Sequence, residues 1–197
     1  MSNVSRPREA LDSTVIVVQQ GDYAVSLAAD VVFSTVLGSC IAACVRDVVA
    51  GVGGMNHFLL PGQQAPQTPT PAYGESARYG AYAMERLINA VLVQGTGKKA
   101  NLEFKIFGGG RINAALSDIG GQNITFVHDF LRTEGYAIAG EDVGGTWSRR
   151  VMFWPKAGRA MIKRLESEDS AVIARSEIAI ARRPESRPNA RADIELF

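Results

Sequence analysis

Residues with sulfur or imidazole side chains suited to covalent chemistry are scarce in this chain. It has two cysteines and two histidines among 197 residues, and two cysteines are too few to frame a fold of this size with disulfides. We therefore expect Cys40 and Cys44 to be thiols. No stretch approaches the roughly 18 consecutive apolar residues of a membrane-spanning helix, and the N-terminal residues lack the apolar run of a secretory signal. These absences predict a cytoplasmic protein.

The chain also lacks an excess of charge of either sign. The 21 basic and 20 acidic residues leave a formal net charge of +1, which argues against a broad electrostatic surface for nucleic acid or for a membrane. Small molecules or proteins are the expected partners. With 46% hydrophobic residues, the chain can form one sizeable core. We predict one domain over residues 14–164, a mobile lead-in at 1–13 and a mostly disordered tail at 165–197.

Hydrophobic periodicity predicts an α/β fold with two main helices. Residues 76–94 repeat apolar side chains at helical spacing, and a second helix is expected over 123–134. Seven or eight strands are predicted besides, with hairpins among them, so we expect a layered sandwich with a mixed, largely antiparallel sheet. Residues 61–73 are rich in proline and glutamine, which predicts a loop, and this loop is a candidate for the surface that selects a substrate.

One predicted hairpin brings a cysteine and a histidine together. Its strands cover residues 41–45 and 52–60, and a turn centred between Val48 and Val49 would pair Cys44 with Gly53 and Cys40 with His57. Directly opposed side chains have Cβ atoms about 4.5–5.5 Å apart, so the imidazole would reach the thiol. The prediction depends on the register, because a slip of one residue would put the two side chains on opposite faces.

A cysteine paired with a histidine is the arrangement of a thiolate nucleophile and its base. Gly38 and Ser39 leave the backbone open ahead of Cys40, so the N–H groups of Ser39 and Cys40 are candidates for binding the oxyanion of a tetrahedral intermediate. A third group usually orients the imidazole, and the hydroxyls of Ser34 and Thr35 are both candidates. The residues alone do not choose between these two.

Other readings of these residues compete with catalysis. A free cysteine often packs as a small hydrophobe, and this is the reading we assign to Cys44. A zinc site formed by Cys40, Cys44 and His57 is disfavoured, because the spacing matches no common zinc pattern and lacks a fourth ligand. Gly108–Gly110 matches neither phosphate-binding glycine motif. We therefore expect no metal and no organic cofactor, and we read His128 as an ordinary residue of the second helix.

Several motifs together resemble the CheD family, the chemoreceptor glutamine deamidases of bacterial chemotaxis. They run in order from about residue 23 to residue 163, which makes the resemblance more specific than any one of them. The motifs are LGSC at 37–40, Asp47, GMNHFLLPG at 54–62, KIFGGG at 105–110, IG-x2-N at 119–123, and ED-x-GG at 141–145 followed by Arg149 or Arg150. Gln122 departs from the arginine that is common in the family.

The resemblance implies a fold similar to the catalytic domain of cytotoxic necrotizing factor toxins. It also implies hydrolysis of glutamine side chains on methyl-accepting chemotaxis receptors to glutamate, with release of ammonia. The family's nucleophile falls on Cys40 and its histidine on His57. Its catalytic threonine falls on Ser34, six residues before Cys40, or on the adjacent Thr35. Some members also bind a CheC-type phosphatase. The alternative is a non-catalytic chemotaxis adaptor that binds receptor helices or such a phosphatase and keeps Cys40 only for packing.

Overall fold

The fold is built from two stacked sheets and two helices, in a computed structural model that describes residues 13–60, 75–112 and 118–165. The predicted loop at 61–73, the lead-in before Ser13 and the tail after Leu165 lie outside the described residues. Within the described ranges the elements are β1 (Thr14–Val17), β2 (Tyr23–Ser26), β3 (Val31–Leu37), β4 (Ile41–Asp47), β5 (Val52–Asn56), α1 (Glu75–Gln94), a single 3-10 turn (Lys99–Asn101), β6 (Leu102–Gly108), α2 (Ile119–Thr133), β7 (Ala137–Val143), β8 (Arg149–Trp154) and β9 (Arg159–Arg164).

The strands form a four-stranded sheet in the order β1-β3-β8-β9 and a five-stranded sheet in the order β2-β5-β4-β6-β7. Two of the strand pairs, β1 with β3 and β6 with β7, are parallel, and the other pairs are antiparallel. The predicted layered α/β sandwich with mixed, largely antiparallel pairing and two main helices is confirmed. The described residues divide the pairing between two sheets and contain nine strands, where the sequence suggested one sheet of seven or eight.

Strand β4 lies at the centre of the layers. Its odd-numbered residues Ile41, Ala43 and Val45 pack with the apolar faces of α1 and α2. Ala42 and Cys44 of β4, and Cys40 just before the strand, pack against residues of the other sheet, such as Phe33 and Val151. Because β4 is buried on both faces, residues 41–45 form a continuous apolar run without the alternation of a half-exposed strand. The loop just before β4 is thereby fixed at the boundary between the two sheets.

Helix α2 begins earlier than the sequence predicts. We expected residues 123–134, but the helix starts at Ile119, with Asp118 accepting a hydrogen bond from the Gly121 N–H at 3.3 Å. Gly120 and Gly121 disfavour a helix by intrinsic propensity. Packing explains the difference, because a Cβ on Gly120 would lie 2.6 Å from the Gly109 carbonyl oxygen. The first turn of α2 thus sits directly on the glycine-rich end of β6.

Helix α1 agrees with its prediction to one residue. The hairpin that the sequence predicts from residues 149–154 and 159–163 forms as β8 and β9, and β9 ends one residue later than predicted. Neither helix in the described ranges has the length and apolar character needed to cross a membrane.

Candidate active site

The hairpin of β4 and β5 has a different register from the predicted one. Cys44 pairs with Met55 rather than Gly53, and Gly53 pairs with Arg46. An isolated bridge between Ile41 and Phe58 continues the same register. His57 therefore falls opposite Ala42, and the predicted direct opposition of Cys40 and His57 is wrong.

Asp47 is the physical reason for this shift. Its carboxylate accepts hydrogen bonds from the N–H groups of Val49 and Ala50, both at 3.0 Å, and its backbone pairs with Val52. The turn is consequently residues 48–51, and Gly51 takes a positive φ of 69°. The predicted centre of the turn lies one residue too early in the sequence.

The shift moves the pairing by two residues, and a two-residue shift preserves the face of each side chain. Cys40 and His57 are therefore diagonal neighbours on the side of the ladder that faces the four-stranded sheet. Diagonal neighbours in an antiparallel pair are about 7–8 Å apart at the backbone, within reach of an aromatic side chain. Cys40 is fully buried and His57 is 7% exposed, so both lie in a largely water-excluded environment.

A hydrogen bond joins His57 to Thr35, one of the two candidates for the third group. Thr35 Oγ1 lies 2.9 Å from His57 Nδ1 and donates to the Val18 carbonyl oxygen at 2.8 Å. Because the hydroxyl has one hydrogen and the carbonyl can only accept, His57 Nδ1 must carry a proton and donate it to Thr35. In the neutral imidazole this leaves Nε2 as the basic nitrogen.

Ser34, the other candidate, lies one residue earlier on β3. Successive side chains of a strand point to opposite faces, so the Ser34 hydroxyl leaves the sheet on the side away from Thr35. Ser34 is tied to the site through its backbone, because its carbonyl oxygen accepts from the Val18 N–H at 2.9 Å.

The loop before Cys40 is held by bonds to its carbonyl groups. The Gly38 oxygen accepts from the Gly110 N–H at 2.7 Å, and the Cys40 oxygen accepts from the Gly109 N–H at 2.7 Å. Asn123 Nδ2 donates to the Ser39 oxygen at 3.0 Å. In a trans peptide the N–H of the next residue points opposite to the carbonyl. The N–H groups of Ser39 and Cys40 therefore point away from the glycine-rich loop and from Asn123.

Asn123 is a residue of this region whose contribution the sequence reasoning missed. It is fully buried, and besides its bond to Ser39 its Oδ1 accepts from the Leu60 N–H at 2.9 Å. One side chain thus joins the loop before Cys40 to the segment after His57. The IG-x2-N motif was the available signal, but nothing local in the sequence indicates which backbone groups Asn123 binds.

The glycine-rich end of β6 serves this loop by close approach. A Cβ on Gly108 would lie 2.1 Å from the Cys40 carbonyl oxygen, and Gly108 has a positive φ of 111°. A side chain at this position would collide with the backbone of Cys40. This close approach explains why a glycine occupies position 108 of the KIFGGG motif without a role in phosphate binding.

Cys44 and the remaining candidates lie apart from these contacts. Both cysteines are free thiols, and burial raises the pKa of Cys44 above its ordinary value, with the Lys105 ammonium lowering it only in part. Within the described ranges no three His, Cys, Asp or Glu side chains are grouped closely enough to hold a metal ion. His128 contacts Glu141 at the surface, at 2.9 Å. Of the two arginines that follow the ED-x-GG motif, Arg149 is fully buried and Arg150 is exposed.

A thiol, an imidazole and a hydroxyl at one end of a layered α/β sandwich are the residue types of a cysteine hydrolase. Comparison with known proteins then identifies the family. The CheD family, described as CheD chemotactic sensory transduction, matches residues 59–164. The chain belongs to the CheD family.

Similar proteins cover nearly the whole chain. A probable chemoreceptor glutamine deamidase CheD 1 from Ruegeria sp. (strain TM1040) is 46% identical over 195 residues, which cover 96% of this chain and 98% of that protein. A probable chemoreceptor glutamine deamidase CheD from Caulobacter sp. (strain K31) is 48% identical and covers 91% of each chain. Its counterpart from Rhizobium meliloti (strain 1021) is 45% identical, over 90% of this chain and 93% of that protein.

Proposed function

We propose that this protein is a chemoreceptor glutamine deamidase that hydrolyses glutamine side chains on methyl-accepting chemotaxis receptors to glutamate. Two independent lines support the proposal. The relatives that cover nine tenths or more of the chain carry this activity in their names. The single structural observation that carries it is the hydrogen bond from His57 Nδ1 to Thr35, which leaves Nε2 as a base on the face that holds the Cys40 thiol.

The proposed reaction proceeds through a thioester. His57 Nε2 takes the proton of the Cys40 thiol, and the sulfur attacks the carboxamide carbon of the substrate glutamine. The carbonyl electrons move to the oxygen, where the N–H groups of Ser39 and Cys40 stabilise the negative charge. Collapse of this intermediate breaks the C–N bond, and His57 returns the proton to the leaving ammonia. Water, deprotonated by His57, then hydrolyses the thioester to glutamate and restores the thiol.

Thr35 is the proposed orienting group in this scheme, and Ser34 is not. The Thr35 hydroxyl accepts from Nδ1 and donates to the Val18 carbonyl, so it fixes both the tautomer and the tilt of the imidazole. The chemistry of this scheme requires neither a metal nor an organic cofactor. A CheC-type phosphatase is a proposed second partner, and this proposal rests on the family resemblance alone.

The test compares two cysteine variants on a receptor substrate. Purified wild-type protein, Cys40→Ala and Cys44→Ala are each incubated with the cytoplasmic fragment of a chemoreceptor. Conversion of glutamine to glutamate is followed by peptide mass spectrometry, and ammonia release by a coupled assay. We expect conversion with the wild type and with Cys44→Ala, and none with Cys40→Ala. Circular dichroism checks that both variants are folded.

Two results would contradict the proposal. If the Cys40→Ala protein is folded and converts receptor glutamines at the wild-type rate, Cys40 is not the nucleophile. If the wild type binds the receptor without changing any glutamine, the adaptor function becomes the better explanation.

A further inference from the structure

A glutamine of this chain contacts the proposed nucleophile. The Cys40 thiol donates a hydrogen bond to Gln20 Oε1 at a distance of 3.6 Å. Gln20 lies in the turn between β1 and β2. Gln20 is half-buried while Cys40 is fully buried, so Gln20 is the more exposed partner of this contact.

The turn that carries Gln20 is bonded to the other site residues. The Gly21 N–H donates to the His57 carbonyl oxygen at 2.7 Å, and the His57 N–H donates to the Asp22 oxygen at 3.1 Å. Two residues before Gln20, the Val18 carbonyl accepts from the Thr35 hydroxyl. The backbone on both sides of Gln20 is therefore fixed relative to the imidazole and its orienting hydroxyl.

We propose that Gln20 is a further catalytic residue, whose carboxamide N–H group binds the oxyanion that forms when Cys40 attacks a substrate amide. This inference rests on the proposed deamidase function. A carboxamide has one acceptor and one N–H2 donor side. The thiol can donate to its oxygen, as observed, whereas a thiolate and the adjoining oxyanion accept only, so loss of the thiol proton favours rotation of the amide to present its donor side.

The fixed backbone favours this role over that of a blocking group. A blocking group must leave the site in each turnover, whereas a donor that stabilises the oxyanion has to stay beside the reacting atoms. Moving the Gln20 turn as a unit would break both backbone hydrogen bonds to His57. Rotation of the side chain alone is enough for the proposed donor to act.

The first test uses the adjacent glutamine as a matched control. Gln19 belongs to the same turn but is exposed, and its hydrogen bond to the Asp22 N–H uses only its backbone oxygen. We expect Gln20→Ala to lower kcat on a receptor fragment by about 100-fold or more, the usual effect of removing one oxyanion donor, with KM changed little. Gln19→Ala should keep the wild-type kcat. A Gln20→Ala protein with a kcat equal to or above that of Gln19→Ala would overturn the proposal.

The second test needs no receptor. Iodoacetamide alkylation of Cys40 is measured against pH in Gln20→Glu and in Gln19→Glu, with modification at Cys40 quantified by mass spectrometry. A carboxylate in contact with the thiol should disfavour the thiolate and move the alkylation midpoint to higher pH in Gln20→Glu only. Equal alkylation midpoints in the two variants would contradict a contact between the side chain at position 20 and the Cys40 thiol.

The two tests separate this inference from the proposed function. A wild-type protein that leaves receptor glutamines unchanged counts against the deamidase function. The alkylation comparison still decides whether Gln20 contacts the thiol, because it depends only on the chemistry of Cys40.

Discussion

The carboxylate of Asp47 should make a measurable contribution to stability that depends on pH. Asp47 is fully buried, and four donors contact its oxygens: the N–H groups of Val49 and Ala50 at 3.0 Å, and the N–H and hydroxyl of Thr96 at 2.7 and 2.6 Å. Burial alone would raise the pKa of Asp47, but these hydrogen bonds lower it from 3.8 to about 2. Asp47 thus joins the β4–β5 turn to the residues that follow α1.

The magnitude follows from the difference between the folded and unfolded pKa values. Because the folded pKa is the lower one, the stabilisation is fully present above the unfolded value of 3.8 and is lost as the pH falls through about 2. At about 1.4 kcal/mol per pKa unit, this shift corresponds to about 2 kcal/mol of the free energy of unfolding. Asp47→Asn should remove this contribution and also place an amide N–H2 against the donors of Thr96.

Urea unfolding between pH 2 and pH 7 measures the effect. We expect wild type to exceed Asp47→Asn by about 2 kcal/mol or more at neutral pH, since buried donors also lose their acceptor, and the difference to shrink below pH 4. Asp129→Asn is the control, because Asp129 pairs with Arg132 at an exposed site, where such pairs contribute little. A wild-type advantage that stays constant down to pH 2, or an Asp47→Asn variant as stable as Asp129→Asn, would refute this reasoning.

Two further predictions concern the candidate site. Thr35→Val removes the hydroxyl between His57 and Val18, so kcat on a receptor fragment should fall at least tenfold. The kcat values of Thr35→Ser and Ser34→Ala should stay within a fewfold of wild type. Equal losses of kcat at positions 34 and 35 would contradict the assignment of Thr35. Gly108→Ala places a Cβ against the Cys40 carbonyl oxygen, so the Tm of thermal unfolding should fall. The control is Gly140→Ala, whose added Cβ would have its nearest neighbours 3.9 Å or more away. A Gly108→Ala protein with the same Tm as this control would refute the close approach.

The sequence predicts the elements of this fold better than the contacts between them. Helix α1 and the hairpin of β8 and β9 are predictable because their periodicity and turn residues are local signals. The placement of Cys40 and His57 on one face survives the error in register, because a shift of two residues preserves the face of each side chain. Their direct opposition does not survive it, because the register depends on how the Asp47 carboxylate shapes the turn.

The groups that complete the candidate site could not be found from local patterns. Gln20 meets Cys40, and Asn123 meets Ser39 and Leu60, across 20 to 84 residues of chain. Such contacts exist only once the sheets have stacked. The hydrogen bond of His57 to Thr35 rather than to Ser34 is of the same kind, because adjacent hydroxyls on one strand occupy opposite faces, and only the stacked sheets show which face meets the imidazole.

The buried guanidinium of Arg149 shows how the loops around Cys40 keep their shape. It donates to the backbone and side-chain oxygens of Asp142 and to the Gly144 carbonyl, and burial lowers its pKa while Asp142 partly opposes this effect. An apolar side chain would fill the same volume without the cost of desolvating a cation. An apolar side chain would not, however, hold carbonyl groups in one direction.

Those carbonyl groups belong to the loop that reaches the candidate site. The Gly144 N–H donates to the Gly108 oxygen, and the glycines that follow Gly108 donate to the Gly38 and Cys40 oxygens. The buried cation is therefore connected, through backbone hydrogen bonds alone, to the loop that carries Cys40. We infer that its contribution is the conformation of these loops rather than net stability, and that this is why a charged side chain occupies a fully buried position beside the five-stranded sheet.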